Sequence, residues 1–483
     1  MTTPLDDTIC AIATPIGDGG IGIVRVSGPE AIPLTSKIVS LRRGGCLDRM
    51  RSHQLYLASV QVSPTTSEEG ESVQDAKVLD EVLVVTMRAP RSYTGEEVVE
   101  IHCHGGGLIL TTVCEALIRY GARIAEPGEF TRRAFLHGRL DLTQAEAVLD
   151  TIQATTTRSL QIAQEQLKGS LSAKVEEMRK ELIHVLAHLE AGLDFTEEDI
   201  TFLEQDELRN SLISLDADLT TLLLTAEEGR IIREGVVTAI IGRPNAGKSS
   251  LLNALLGTNR AIVSAIPGTT RDVLEEVVSI DGILIRLFDT AGIREAGDEV
   301  EEEGIRRTTE ALEQAELVLL VIDSSADISE EDSELFKRSN QKKRVVVLNK
   351  SDLPSKISEA DVQEFLAETL AERHNGNWTK VVSVSATTGI GLEQLRCGVR
   401  QVAMSTRFES RDSVMVTRLR HKQALVTAQG CVNNSLNAIE QEFSSDCIAV
   451  DLRAALDSLG EITGHVSTDD ILDQVFSEFC IGK

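Results

Sequence analysis

Between Val236 and Gly257 the chain reads VVTAIIGRPNAGKSSLLNALLG, an apolar strand, a glycine loop and an amphipathic helix. Gly242-x4-Gly247-Lys248-Ser249 fits the phosphate-binding loop, in the strand–loop–helix setting that gives the pattern its meaning. Glycines let backbone N–H groups turn toward phosphates, and the helix N-terminus beyond them favours anions. Asn245, Ala246, Gly247, Lys248, Ser249 and Ser250 therefore form the predicted cradle. Lys248 reaches the β- and γ-phosphates and Ser249 ligates Mg²⁺.

Such loops serve ATP as well as GTP, so the base is read elsewhere. Asn349-Lys350-Ser351-Asp352 follows the apolar run RVVVL. The Asp352 carboxylate can accept two hydrogen bonds from guanine, whereas adenine has no matching pair of donors. Ser385, Ala386 and Thr387, after KVVSVS, supply the second contact to the base. Asp289-Thr290-Ala291-Gly292 ends the strand ILIRLF, with Asp289 expected near Mg²⁺ and the Gly292 N–H near the γ-phosphate. Thr269 and Thr270, in PGTTRD, sit where a threonine closes on the metal. Together, in this order, these motifs predict binding of GTP and GDP.

The catalytic part departs from Ras-type proteins, which place a water-orienting glutamine directly after the DTAG glycine. Here that residue is Ile293. The acidic run Glu299, Glu301, Glu302 and Glu303 lies just downstream and reads equally as a solvated start of a helix. Asn245 stands where a potassium-activated GTPase carries its ion-binding asparagine, although many phosphate loops simply tolerate that residue.

The elements that must position these groups follow from pattern. At 483 residues the chain should divide into two to four domains. Seven of the ten prolines precede residue 130, and the first stretch alternates apolar runs such as IGIVRVSG with turn residues, predicting a small α+β domain. From Leu140 to about Ile232 there is no proline, and apolar residues recur at helical spacing; residues 400–483 read likewise. The strand-rich stretch 236–398 separates these helical regions, predicting one helical domain interrupted by an inserted one.

A net charge of −28, from 76 acidic and 48 basic residues, disfavours a chain that grips RNA alone through phosphates. Aromatic content of 3% likewise disfavours a base-stacking surface. No apolar run is long enough for a membrane helix, so a cytoplasmic protein with no membrane association is expected. The eight cysteines form no CxxC pair. His102 and His104 flank Cys103 without a third metal ligand and read as structural.

Three further segments complete the picture: GGIGIVRVSGP; SYTGEEVVEIHCHGG with EPGEFTRRAFLHGRLDLTQAEAV; and the terminal Cys480-Ile481-Gly482-Lys483. With GRPNAGKSS and the glutamine-less DTAG, the whole chain resembles the MnmE (TrmE) family of tRNA modification GTPases. The resemblance implies a multidomain α/β fold. Residues 1–122 form an α+β dimerisation and folate-binding domain. Residues 123–233 and 400–483 are the two parts of a discontinuous all-α domain, and 234–399 an inserted Ras-like GTPase domain. It implies a homodimer that joins an FAD-dependent subunit, MnmG, in a heterotetramer. That complex builds a carboxymethylaminomethyl or aminomethyl group on C5 of the wobble uridine of certain tRNAs. It also implies 5-formyl-tetrahydrofolate, or a related tetrahydrofolate, as one-carbon carrier, and hydrolysis that depends on K⁺.

By the same resemblance the folate contacts fall on Arg25, Glu100, position 139 and the terminal Lys483. Position 139 is often lysine in the family and is Arg139 here. Cys480 gains a role in the modification chemistry. Potassium draws on Asn245, Ser264, Ile266 and Thr269, and Thr270 joins Ser249 on Mg²⁺. The switch loop Ser264, Ala265, Ile266, Pro267, Gly268, Thr269, Thr270 adjoins the nucleotide, and Glu301 becomes the water-orienting glutamate. The family usually has aspartate at position 265, so Ala265 puts the strength of the potassium dependence in question. Two other readings fit less well. An RNA-associated regulatory GTPase would usually carry a second GTPase domain or a basic appendage, absent from this sequence. A folate enzyme acting alone lacks a dinucleotide-binding fingerprint.

Overall fold

The computed structural model describes residues 7–15, 17, 19–62, 77–194, 205–259, 276–287, 309–369, 379–404 and 414–483. The chain divides into two compact units, 1–149 with 460–483, and 150–459.

In the first unit seven strands form one sheet. They are β1 (Ile9–Ile12), β2 (Gly19–Ser27), β3 (Val39–Leu41), β4 (Leu55–Val62), β5 (Lys77–Met87), β6 (Val98–Gly105) and β7 (Arg123–Ile124). Their order is β3-β4-β5-β6-β2-β1-β7. Only the β1–β7 pair is parallel. Side chains alternate across a strand. Val24, Val26, Val99 and Ile101 accordingly share one face, buried with Leu110, Val113 and Leu117 of helix Gly107–Arg119. The intervening Arg25 and Glu100 are paired in register on the other face. The last helix, Asp469–Ser477, buries Leu472, Val475 and Phe476 against Leu142, Ala145 and Leu149. Beyond it, an isolated bridge joins Pro127 to Ile481.

The second unit combines long helices with a six-stranded sheet. Helix Ser170–Asp194 buries Leu171, Val175, Met178, Leu182 and Val185, alternately four and three residues apart. Helix Gln205–Glu234 buries Leu208, Leu212, Leu215, Leu219 and Leu222 in the same rhythm. That is the stripe of a helix packed along one side. The strands are β8 (Val236–Ile241), β9 (Glu276–Ile280), β10 (Ile283–Leu287), β11 (Leu317–Asp323), β12 (Lys343–Asn349) and β13 (Thr379–Ser383). Their order is β13-β12-β11-β8-β10-β9, parallel except for β9. Leu317 to Ile322 are all buried, as a parallel strand covered on both faces requires. Leu319 and Val321 pack with Leu251, Leu255 and Leu395; Leu320 and Ile322 pack with Phe336 and Val362.

Candidate functional site

The nucleotide motifs follow the carboxyl ends of parallel strands, where open α/β sheets bind ligands at the reversal of strand order. Residues Gly242–Gly247 follow β8, Asn349 ends β12, and Ser385 lies two residues after β13. A Cβ on Gly242 would lie 2.3 Å from the Val321 carbonyl oxygen, so only glycine lets the loop leave β8 beside β11. Gly247 has φ +96°, and a Cβ there would meet Asn349 Nδ2 at 2.1 Å.

Asn349 joins the phosphate end to the base end. Its Nδ2 donates to the Ala246 carbonyl at 3.0 Å, and its Oδ1 accepts from the Ala386 N–H at 3.1 Å. Lys350, at φ +65°, places Nζ 2.6 Å from Asp323 Oδ2 at the end of β11. Burial alone would raise the Asp323 pKa, but Lys350 and Ser325 outweigh it and hold the carboxyl below its usual value. Ser385 is fully buried; its Oγ accepts from the Thr388 N–H, shaping the turn that carries Ala386 and Thr387. Asp352 is exposed, available to a base. Lys248 Nζ donates to the Gly242 and Arg243 carbonyls at 2.7 and 3.0 Å. Burial pushes its pKa below the usual lysine value. Ser249 and Ser250 stand in the first turn of helix Lys248–Asn259, and Asn245 is exposed at φ +63°.

The structure therefore brings together Asn245, Ala246, Gly247, Lys248, Asn349, Lys350, Ser385 and Ala386. Ser264, Ala265, Ile266, Pro267, Gly268, Thr269, Thr270, Asp289, Thr290, Ala291, Gly292, Ile293 and Glu301 lie outside the described residues. Asp323 was missed from the sequence; its signal is the acidic end of the apolar run LVLLVID.

Profile comparison matches residues 8–139 to "GTP-binding protein TrmE N-terminus" and 142–480 to "MnmE helical domain". The curated "tRNA modification GTPase MnmE" of Thermoanaerobacter pseudethanolicus is 44% identical over 477 residues, covering 99% of each chain. That of Moorella thermoacetica is 46% identical over 482 residues, covering 99% of this chain and all of the other. This chain belongs to the MnmE family. It is a GTP hydrolase with the family's three-part architecture, α+β, helical and Ras-like. Among the described residues no helix is long and apolar enough to cross a membrane.

Membership directs attention to the second polar cluster, in the N-terminal unit. Arg25 Nε donates to Glu100 Oε1 at 2.9 Å, and the pair is only 15% and 16% exposed. The Arg25 guanidinium lies 5.3 Å from the Tyr93 ring centre and 5.6 Å from that of Phe130, within cation–π range. His102 Nε2 is 3.3 Å from Glu100 Oε2. Burial would raise the Glu100 pKa, but His102 and Arg25 outweigh it and keep the carboxyl below its usual value. The C-terminus closes the group, with Arg25 Nη1 3.5 Å from the Gly482 carbonyl. Burial, then the nearby Arg25, lowers the Lys483 pKa against the opposing pull of Glu100 and Cys480. Cys480 is exposed, and its carbonyl accepts from the Lys483 N–H.

Arg25, Glu100 and Lys483 thus lie in one cluster. Arg139 lies beyond Tyr93: its Nε donates to the Ser92 carbonyl, and it lines a pocket of about 500 Å³ with His53, Arg91, Ser92 and Tyr93. Tyr93 and Phe130 were missed because nothing local marks them. His102, read as structural, holds Glu100. His104 instead bonds Asp80 Oδ1 at 2.6 Å.

Proposed function

We propose that this chain is a potassium-dependent GTPase which, with the FAD-dependent subunit MnmG, modifies C5 of the wobble uridine of certain tRNAs. The product is carboxymethylaminomethyl- or aminomethyl-uridine. The observation carrying this reading is the presence of two built sites in one family member: the guanine-nucleotide cradle joined by Asn349, and the Arg25–Glu100 pair closed by the terminal Gly482 and Lys483.

The residues around Glu100 fit a reduced pterin. An ionised carboxylate accepts from a pterin amino group and ring N–H, while cations suit a glutamate tail. Glu100 would supply the first, and Arg25, Lys483 and Arg139 the others. Folate, when bound, would supply the one-carbon unit; the chain's own part is to bind and orient it. Cys480, three residues from the C-terminus beside this cluster, takes part in the modification chemistry.

In the nucleotide site Lys248 meets the β- and γ-phosphates, and Ser249 with Thr270 holds Mg²⁺. Asn245, Ser264, Ile266 and Thr269 hold K⁺, whose charge would serve where other GTPases use an arginine finger. Glu301 orients the attacking water in place of the glutamine absent at Ile293. The domains are taken as 1–122 for dimerisation and folate, 123–233 with 400–483 as the helical domain, and 234–399 for GTP, in a cytoplasmic complex. Leu57 and Leu83, paired across β4 and β5 and 40% and 41% exposed, support a homodimer through the first of these.

Nucleoside analysis of tRNA from cells lacking this protein tests the reading: the modified wobble uridine should disappear, and unchanged tRNA would overturn it. Replacing potassium by sodium should slow GTP turnover by roughly 10²-fold, the scale of one lost transition-state charge contact. Equal rates in the two salts would mean that Ala265, or another feature of this chain, has removed the ion site.

A further inference from the structure

The GTPase domain is spliced into the helical segment at two crossings, and both are fastened to one carboxylate. Helix Gln205–Glu234 runs into β8 across Gly235 alone, and β8 ends at the phosphate loop. The chain returns through Met415–Arg418 to helix Leu419–Glu440. Arg233, on the outgoing side, donates from Nε to Asp150 Oδ1 at 2.9 Å. Arg418, on the returning side, donates from Nη2 to the same oxygen at 2.8 Å. Asp150 and Arg418 are each less than one tenth exposed.

Neighbouring bonds pin the same crossing. The Val416 N–H donates to Thr225 Oγ1 at 3.0 Å, and Gln166 Nε2 donates to the Met415 carbonyl at 2.9 Å. A Cβ on Gly229 would come within 2.1 Å of the Val416 carbonyl oxygen, so the returning segment lies directly on the outgoing helix. Burying such a charge group gains little stability, because desolvation offsets the attraction; a better-attested use is to fix one arrangement against alternatives.

The nucleotide site reaches this cluster through the β9–β10 hairpin. In sequence Thr270 lies six residues before Glu276 and Asp289 two after Leu287, so the hairpin's arms lead to both phosphate-sensing motifs. Arg286 of β10 is paired with Val237 of β8 and lines a cavity of about 190 Å³ with Asp150, Arg233, Gln166 and Thr417. At the hairpin's turn, a Cβ on Gly282 would lie 3.4 Å from Arg158 Cβ, on helix Thr157–Leu167.

We propose that Asp150 is a positioning residue coupling the nucleotide state to the helical segment. It holds Arg233 and Arg418 as one body, so that movement of β8 and the hairpin is passed to the helical segment at residues 150–167. The inference rests on the proposed reading of this chain as a GTPase that works within a tRNA-modifying complex. Its test does not use tRNA modification, so a chain that left tRNA untouched would leave the result standing.

Hydrogen exchange is measured on the full chain with GDP, and with GDP plus aluminium fluoride, in potassium and magnesium. In the wild type the peptides covering 150–167 and 414–425 should differ between the two states by at least about fivefold in exchange rate, the lower end of ordinary coupling. Asp150→Asn should erase that difference while the phosphate-loop peptides keep theirs and GTP turnover persists. Arg418→Met should match it, and Arg418→Lys should fall between. Coupling of wild-type size in Asp150→Asn and Arg418→Met would overturn the proposal, as would no response in the wild type. If Asp150→Asn does not fold, the graded comparison of Arg418→Lys with the wild type decides in the same way.

Discussion

Replacing Lys248 by alanine should lower kcat/KM for GTP by about 10²–10³-fold, the usual cost of removing one preorganised donor from a developing negative charge. The side chain is half-buried and already bonded to the Gly242 and Arg243 carbonyls, so it is held at the loop before phosphate arrives. Its pKa is depressed because burial disfavours the charge, which marks a cation in a poorly solvated place. There its attraction to phosphate oxygens is stronger than in water. The loop's own N–H donors survive the substitution, so GDP should still bind while phosphate release in steady-state assays collapses. Folding should change little, since the loop shape depends on Gly242, Gly247 and Asn349 rather than on the ammonium. A loss of less than about tenfold, or 1.4 kcal/mol, would remove Lys248 from the transition state.

Glu100→Gln should have the second large effect, on tetrahydrofolate affinity. The substitution keeps size but replaces a charged acceptor by an amide with one acceptor oxygen. Hydrogen bonds to a charged group contribute about 1.5–3 kcal/mol each, so the one lost bond predicts a roughly 10- to 10²-fold weaker complex by titration calorimetry. Arg25 would also keep a largely buried charge without its carboxylate, lowering unfolding stability by about 3 kcal/mol, the low end for a broken buried pair. The pH dependence has a definite sign. The folded carboxyl has a lowered pKa, so it binds fewer protons folded than unfolded. Its contribution is present above the usual carboxylate value and is lost as pH falls through the lowered one. Glu100→Gln should flatten that part of the stability profile. Unchanged folate affinity would show that the ligand does not use this carboxylate.

The two sites differ in how plainly residues announce them. A phosphate loop is a run of consecutive residues whose backbone does the binding, so its composition is its geometry. The described nucleotide motifs follow the ends of parallel strands β8, β12 and β13, so chain order carries their placement. Even there one partner escaped notice: Asp323 meets Lys350 only because β11 and β12 run side by side in register, Asp323 opposite Asn349.

The Arg25 cluster has no such continuity. Arg25 and Glu100 are 75 residues apart, and Arg25 and Gly482 are 457 apart. Their meeting depends on β2–β6 register and on the return of the C-terminus along Pro127. Family resemblance supplied Arg25, Glu100 and Lys483, but not the aromatic rings of Tyr93 and Phe130 beside the guanidinium. Asp150 was equally silent, an ordinary acid in a helical run until folding laid both crossings of the inserted domain against it.

Residue order and spacing alone were enough to predict guanine as the base, to show that no glutamine follows the DTAG glycine, and to predict an α+β start and helices interrupted by a nucleotide fold. Each of these depends on contiguous patterns or on local periodicity. Folding decided which face Arg25 and Glu100 share, which rings flank them, that His102 steadies the carboxylate, and that one aspartate binds both crossings. Those relations arise from sheet register and long-range packing, and neither is written into neighbouring residues.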